Sequence, residues 1–520
     1  MRRRGRSTAL RYPPSPLPAA LHVPPPGGSI GGHMSLLAPS RTIGASDLSS
    51  AAATERPIQR SRFAGRRVHF VGIGGVGMSG LAHILLDAGA DVSGTDPFPT
   101  DITRRLEDRG ALVADEQDGS LLTADVDLVV RTAAVREENE EIAAAREYGI
   151  RTIYYAELLG QIMAERVGIA VAGTHGKSTT TAMLAYALTR CGLDPSFVVG
   201  GTVPQLGGGS HSGTGEVFVA EACEFNRSFL NLAPKVAVVT NIEADHLDTY
   251  PGGLAEIEEA FSRFCAGLSS DGRLIANGDD PHSARLIEEH KDRVWRVGKG
   301  LGCEWTLVPA GLKDGCPVAH LQHEGKLAAT IRLSVPGQHN LYNAAQAVVA
   351  AVAVGADVKQ AAEAVSDFRG VDRRQMPMGE VAGVGAPVVD DYAHHPTEIR
   401  LTLSALRERY APDRLICIFQ PHQASRTRHL LDDFATSFAG ADLVFLPDIY
   451  SVRDTADDQR FVSSGTLAER IRAAGQHAEH VPTFEKTLER VRGELRAGDL
   501  VVTMGAGNVW QIGRRLVEGA

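Results

Sequence analysis

The sequence predicts an α/β protein made of three consecutive strand–helix blocks, and three stretches carry that expectation. The first is "RRVHFVGIGGVGMSGLAHILLDAGADVSGTD". A strand over Val68–Val71 meets Gly72, Gly74 and Gly77, a helix follows, and a second strand ends at Asp96. The second, "VGIAVAGTHGKSTTTAMLAYAL" from Val167, repeats the order of apolar strand, glycine-bracketed loop and helix. The third begins near Val371, where "APVVDDYAHHPTEI", "RLICIFQPHQASRTR", "DLVFLPDIYS" and "DLVVTMGAGNVW" each end a strand in His, Asp, Arg or Gly. A chain of 520 residues exceeds a single core. The expected division is 63–165 as a Rossmann-like unit, 166–371 as a P-loop-type mononucleotide-binding unit, and 372–520 as a second Rossmann-like unit.

Residues 1–62 are read as outside the fold. "MRRRGRSTALRYPPSPLPAALHVPPPGG" is rich in Arg, Pro, Ser and Gly, and no acidic residue precedes Asp47. Such a stretch cannot bury enough apolar surface to offset the entropy of ordering. It lacks the apolar centre of a secretory signal. Its composition fits an organelle transit peptide, and a translation start at Met34 fits equally.

In the first block the G-x-G-x-x-G spacing after a strand, with an acidic residue about 20 positions on, is the pattern of a dinucleotide or diphosphate site. The glycines let the backbone approach the diphosphate at a helix N-terminus. "DLVVRTAAV" adds a strand and turn, and "EIAAAREYGI" a helix. In the second block Gly173-Thr174-His175-Gly176-Lys177-Ser178-Thr179 forms a phosphate cradle. Val171 stands where the G-x-x-x-x-G-K-[ST] pattern has its first glycine. The physically necessary parts remain: Gly176 turns backbone N–H groups inward, Lys177 offsets phosphate charge, and Ser178 offers a hydroxyl to Mg²⁺. Strands "EVFVAEA" and "KVAVVTN" follow, placing Glu221 after one, and Asn241, Glu243, Asp245, His246 and Asp248 after the next. Carboxylates there suit a metal–phosphate site, although acidic residues after strands are also common helix caps. "GRLIANGDD" is a further strand, and "PGQHNLYNAAQAVVAAVAVGA" opens a buried helix. In the third block, the clusters after strands lie where open parallel sheets bind ligands. His394 and His395 are read either as substrate-facing or as caps of the helix "PTEIRLTLSALRERY".

The bulk numbers exclude several classes. A net charge of −10 without a long basic run beyond the N-terminus argues against a nucleic-acid binder. No apolar stretch approaches a bilayer span, so no membrane insertion is expected. Six scattered cysteines, none in C-x-x-C, argue against a zinc knuckle or disulfide framework and suit a reducing cytoplasm.

"GTHGKSTTTAMLA", "AEACEFNRSFL", "TNIEADHLDTYPG", "PGQHNLYNAAQA", "DDYAHHPTEI" and "FQPHQASRTR" come in the order seen in the Mur ligases. The chain resembles that family from about residue 66 to its end, and most closely its alanine-adding members. The resemblance implies that ATP phosphorylates the carboxylate of UDP-N-acetylmuramate and that L-alanine displaces the phosphate, with Mg²⁺ as cofactor. It implies UDP-sugar contacts at Gly72, Gly74, Gly77 and Asp96, and ATP contacts at the loop, Asn340 and Asn343. Ser178, Glu221 and His246 are implied as Mg²⁺ ligands. Lys177, His394, His422 and Arg426 would be catalytic, with Tyr392 in the substrate cleft. A monomer or homodimer is expected.

Several positions depart from the family pattern. Gln423 stands for Arg in "FQPHR", and Asn508 for Asp in "MGAGD". "RTAAV" replaces an "SSAI"-like turn, Tyr155 takes an Arg position, and "VDRRQMPMG" differs from the usual hinge. Competing readings are a sibling that attaches a tripeptide to the same sugar nucleotide, a nicotinamide oxidoreductase built on the first glycine motif, and a plain ATPase.

Overall fold

The computed structural model describes residues 61–519, except 99, 452, 453 and 455. The expectation for 1–62 therefore falls almost wholly outside the described residues. Arg62, at its edge, hydrogen-bonds through Nε to Glu165 Oε1 at 2.9 Å, and Phe63 is buried.

Three sheets follow one another along the chain. The first holds β1 (Arg67–Val71), β2 (Asp91–Thr95), β3 (Leu112–Ala114), β4 (Leu128–Arg131) and β5 (Thr152–Tyr154) in the order β3-β2-β1-β4-β5. All its pairings are parallel. The strand order reverses beside β1, so the Gly72 loop opens at the switch point where such sheets bind ligands.

The second sheet has ten strands in the order β15-β14-β13-β12-β11-β10-β6-β9-β7-β8. They are β6 (Val167–Ala172), β7 (Ser196–Val203), β8 (Gly208–His211), β9 (Val217–Glu221), β10 (Val236–Val239), β11 (Arg273–Asn277), β12 (Val294–Gly298), β13 (Trp305–Lys313), β14 (Cys316–His323) and β15 (Lys326–Arg332). Strand β6 lies between β9 and β10 and runs parallel to both. The three loops leaving these strands therefore converge, which puts the glycine loop beside the acidic segments after β9 and β10. The helix after β6, Lys177–Arg190, is buried from Thr180 through Leu188. It packs against the Ala/Val-rich helix His339–Ala353, buried from Asn343 to Ala351. A helix apolar on all sides is stable only in such an enclosed position.

The third sheet comprises β16 (Met376–Glu380), β17 (Pro387–Asp391), β18 (Arg414–Phe419), β19 (Leu443–Leu446), β20 (Ala478–His480) and β21 (Asp499–Met504), ordered β16-β17-β21-β18-β19-β20. Only the edge strand β16 is antiparallel. Apolar cores cover both of its faces, around Phe419, Phe434 and Phe438 on one and Val501, Ile416 and Ile512 on the other. The core of the first sheet is continuous with one face of the second, through Leu158, Ile162, Phe229 and Phe264.

Candidate active site

The phosphate loop is shaped by close packing. Gly173 has φ +138°, and a Cβ there would lie 1.9 Å from Thr240 Oγ1. That hydroxyl donates to the His175 carbonyl at 2.6 Å, and the Asn241 amide donates to the same oxygen at 3.0 Å. Gly173→Ala is expected to displace the loop and weaken nucleotide binding by about tenfold or more, the scale of an overpacking penalty. Titration with a fluorescent ATP analogue checks this.

Lys177 begins the following helix. Its Nζ donates to the carbonyls of Gly173 (2.6 Å) and Thr174 (3.0 Å) and to Glu224 Oε1 (3.0 Å). Glu224 is 2% exposed. Burial opposes the Lys177 charge, but Glu224 together with the neighbouring Cys223 and Glu221 outweighs it and holds the ammonium above its usual range. Ser178 is buried in the first turn. The Glu221 carboxylate, at the end of β9, accepts from Gly200 N at 2.9 Å. His246, with φ +51°, sets Nε2 3.8 Å from Glu224 Oε1. Its ring lies against Phe225.

The wall opposite comes from loops after β17 and β18. Arg426 Nε donates to Asp245 Oδ1 at 3.1 Å, with both side chains 8% exposed. Burial would raise the Asp245 carboxyl, but Arg426 holds it far below the usual carboxylate range. Arg426 Nη1 lies 3.4 Å from His422 Nδ1. The rings of His394 and His422 are 6.1 Å apart, and Tyr392 meets His394 edge-on at 5.4 Å. Burial pushes the His394 imidazole down to about 3, so it is neutral near pH 7. Its Nδ1 lies 3.0 Å from the Tyr392 carbonyl, which makes Nδ1 the N–H and Nε2 the acceptor. His395 caps the helix Pro396–Tyr410, accepting from Thr397 N at 3.3 Å.

Beside the loop opens a pocket lined by Gly176, Thr179, Asn340, Asn343, His339 and Arg374. Asn343 Nδ2 donates to Asn340 Oδ1 at 2.9 Å, and Asn340 Nδ2 to the Pro336 carbonyl at 2.7 Å. His339, at the first turn of its helix, is pushed by burial down to about 4. A helix N-terminus also disfavours a cation there. A base whose folded pKa is depressed contributes stability that is lost as pH falls. Between pH 6.5 and 4 the unfolded chain takes up a proton that folded His339 refuses, at up to about 3 kcal/mol. Denaturant unfolding across that window is expected to show a flatter pH slope for His339→Gln than for the parent.

In the first sheet, Asp96 accepts from Gly74 N at 2.9 Å and from Phe98 N at 3.0 Å, so it braces the glycine loop. Gly72 N donates to the Thr95 carbonyl at 2.8 Å. Gly77 faces Tyr155, whose ring a Cβ at that position would meet at 2.8 Å. Arg131 is buried, donating to Tyr154 Oη at 2.6 Å and stacking over that ring.

Sequence reasoning did not single out Glu224, Glu398, His339 or Arg374. Glu224 lay inside a quoted acidic segment. Its choice of Lys177 depends on a turn in which Asn226 and Arg227 both take left-handed φ. Glu398 lies one turn into a helix, where sequence gives no sign that it reaches across to the phosphate loop.

Family models match in three successive stretches: the Mur ligase family catalytic domain at 67–167, the Mur ligase middle domain at 171–351 and the Mur ligase glutamate ligase domain at 373–507. The UDP-N-acetylmuramate–L-alanine ligase of Caldanaerobacter subterraneus subsp. tengcongensis is 40% identical over 456 residues, covering 87% of this chain and 97% of that protein. The chain belongs to the Mur ligase family. The Clostridium novyi protein of the same name is 40% identical over 454 residues, again spanning 97% of its length. Among solved structures, this Mur ligase is similar to the UDP-N-acetylmuramate–alanine ligase of Thermotoga maritima. The TM-score is 0.72 at 28% identity, covering 87% of this chain and 98% of that one. A murein peptide ligase from Psychrobacter arcticus matches at TM-score 0.63 and 26% identity, over the same shares.

The departures from the Mur ligase pattern have visible settings. Gln423 has φ +69° and donates its backbone N–H to the Tyr450 carbonyl at 3.0 Å. The side-chain oxygen of Asn508 is buried with no hydrogen-bond donor in reach.

Proposed function

We propose that the chain is an ADP-forming amide ligase that joins L-alanine to the lactyl carboxylate of UDP-N-acetylmuramate in peptidoglycan precursor synthesis. The observation that carries the reading is near full-length similarity to alanine ligases, joined to a phosphate loop that faces a wall of His and Arg. The units are taken as 63–165 for the UDP-sugar, 166–371 for ATP and 372–520 for the amino acid. Among the described residues no helix is long and apolar enough to cross a membrane, and the proposed location is the cytoplasm.

The chemistry follows from charge. A carboxylate and a γ-phosphate repel, so their approach needs fixed cations. Lys177 is held charged by buried Glu224 and is the cation that would meet the γ-phosphate. Its transfer converts the carboxylate to an acyl phosphate, a competent electrophile, and releases ADP. The alanine amine then attacks the acyl carbon and phosphate leaves. Arg426 offers a bidentate fork to the anion, and neutral His394 offers Nε2 to the incoming amine. The oxygen donors of Ser178 and Glu221, with His246, are of the kind that suits Mg²⁺ and would hold it, while Glu224 is engaged by Lys177. Bound there, Mg²⁺ would supply charge neutralisation at the β- and γ-phosphates.

ADP release measured with UDP-N-acetylmuramate and L-alanine together, and with each omitted, tests the reading. Activity is expected only with both. Release supported by a tripeptide and not by alanine would move the assignment to the sibling ligase, and release without either would leave a plain ATPase.

A further inference from the structure

One cluster in the interface between the second and third units is left unused by the ligase chemistry. His175 comes from the phosphate loop, Glu243 from the segment after β10, and His395 from the segment after β17. One ligand atom from each lies within 4.8 Å of the other two. His175 Nε2 is 3.1 Å from Glu243 Oε2, and His395 Nδ1 is 3.7 Å from that same oxygen. A tetrahedral Zn²⁺ with bonds of about 2.0–2.2 Å separates neighbouring donor atoms by roughly 3.3 Å. The two spacings to Glu243 lie on either side of that value, and the two histidine nitrogens are within 4.8 Å of each other.

The outer contacts are also those of a metal site. Histidine ligands keep their orientation by donating the remote ring N–H to a carboxylate or a carbonyl. His175 Nδ1 faces Glu398 Oε1 at 3.3 Å, and His395 Nε2 faces the Ala244 carbonyl at 3.3 Å. His175 Nε2 now donates its N–H to Glu243, and a dication entering between them would displace that proton to water; His395 Nδ1 already carries a lone pair. The Thr397 N–H now bonded to His395 Nδ1 at 3.3 Å is a long bond that an ion would replace. The Glu243 side chain is 35% exposed, which leaves a path for entry and room for a fourth ligand.

The geometry points to a binding site for a borderline dication of the Zn²⁺ type at His175, Glu243 and His395, separate from the Mg²⁺ donors. Two imidazoles and one carboxylate favour Zn²⁺ or Co²⁺ over Mg²⁺, which prefers an all-oxygen octahedron. The ion would fasten two units of the chain together and fix a residue of the phosphate loop. Occupancy therefore holds the cleft closed and slows turnover. Only this last consequence rests on the ligase reading; metal binding does not.

The test is a titration of the full chain with Co²⁺ in excess Mg²⁺ and without nucleotide, followed by visible absorption. One equivalent with the intense bands of tetrahedral Co²⁺, displaced by Zn²⁺, is expected. His175→Asn and His395→Asn should each weaken binding by about tenfold or more, the latter with the helix cap preserved because Asn is itself a good cap. Glu221→Gln and His246→Asn should leave the spectrum unchanged. Weak octahedral bands, unaltered affinity in both histidine variants, or loss in Glu221→Gln or His246→Asn would overturn the site. A second measurement needs no variant: anomalous diffraction at the zinc edge from Zn²⁺-soaked crystals should peak among the three side chains. A peak confined to Ser178, Glu221 and His246, or no peak, contradicts it. If the ion binds as described but Zn²⁺ leaves ADP release unchanged, the clasp fails while the site stands. If ADP release never depends on both substrates, the ligase reading fails independently.

Discussion

Lys177→Met is expected to lower turnover by about 10³-fold or more, since a fixed cation at the transferring phosphate is removed. It should also destabilise the chain by about 3–5 kcal/mol, because Glu224 is left as a buried, unpaired carboxylate. At 2% exposure, water offers that group little compensation. The two effects are separable. Adding Glu224→Gln to Lys177→Met should return most of the unfolding midpoint and none of the activity. ADP-release kinetics and denaturant unfolding on the two variants decide it. Near-normal turnover in Lys177→Met would remove the phosphate role, and equal stability of single and double variants would remove the buried pair.

Arg426→Ala is expected to reduce kcat/KM for the amino acid by about 10²–10³-fold, the scale of losing a directed cation at a reacting anion. Its partner Asp245 is 8% exposed on its side chain and would lose its main counter-charge. A stability loss of about 3 kcal/mol is therefore expected beside the kinetic one. Arg426→Lys separates charge from shape. A lysine keeps the positive charge but lacks the planar fork that can hold Asp245 through Nε and still reach His422 through Nη1. It should recover stability more fully than activity. Equal recovery of both would mean that Arg426 only fastens the two units, which steady-state kinetics beside thermal unfolding would reveal.

The three α/β blocks were legible because each opens with an apolar run that stops at a polar or glycine-rich turn. The parallel sheets put those turns on one edge, so strand ends marked the segments that gather at the phosphate loop and its facing wall, while the choice of Glu221, His246, His394, His422 and Arg426 within them came from the resemblance. The ribbon β13–β15 was not legible. Its register shifts between Pro309 and Leu312, which breaks the two-residue alternation by which a half-buried strand is recognised. Pairings across the cleft were likewise hidden. Glu398 and His175 are 223 residues apart in sequence and 3.3 Å apart in space, and no local pattern records such a meeting. Asp96 illustrates a different limit. Spacing placed it after β2, while its acceptance of the Gly74 and Phe98 N–H groups, which braces the glycine loop, leaves no mark in the sequence.

The proposed reaction depends on direct transfer of the terminal phosphoryl group of ATP to the carboxylate of the sugar nucleotide. UDP-N-acetylmuramate carrying ¹⁸O in its lactyl carboxylate, turned over with ATP and L-alanine, tests that transfer most directly. One labelled oxygen per turnover should appear in the released inorganic phosphate, carried there when the acyl phosphate breaks. Phosphate free of label, with amide formed at the normal rate, would contradict it.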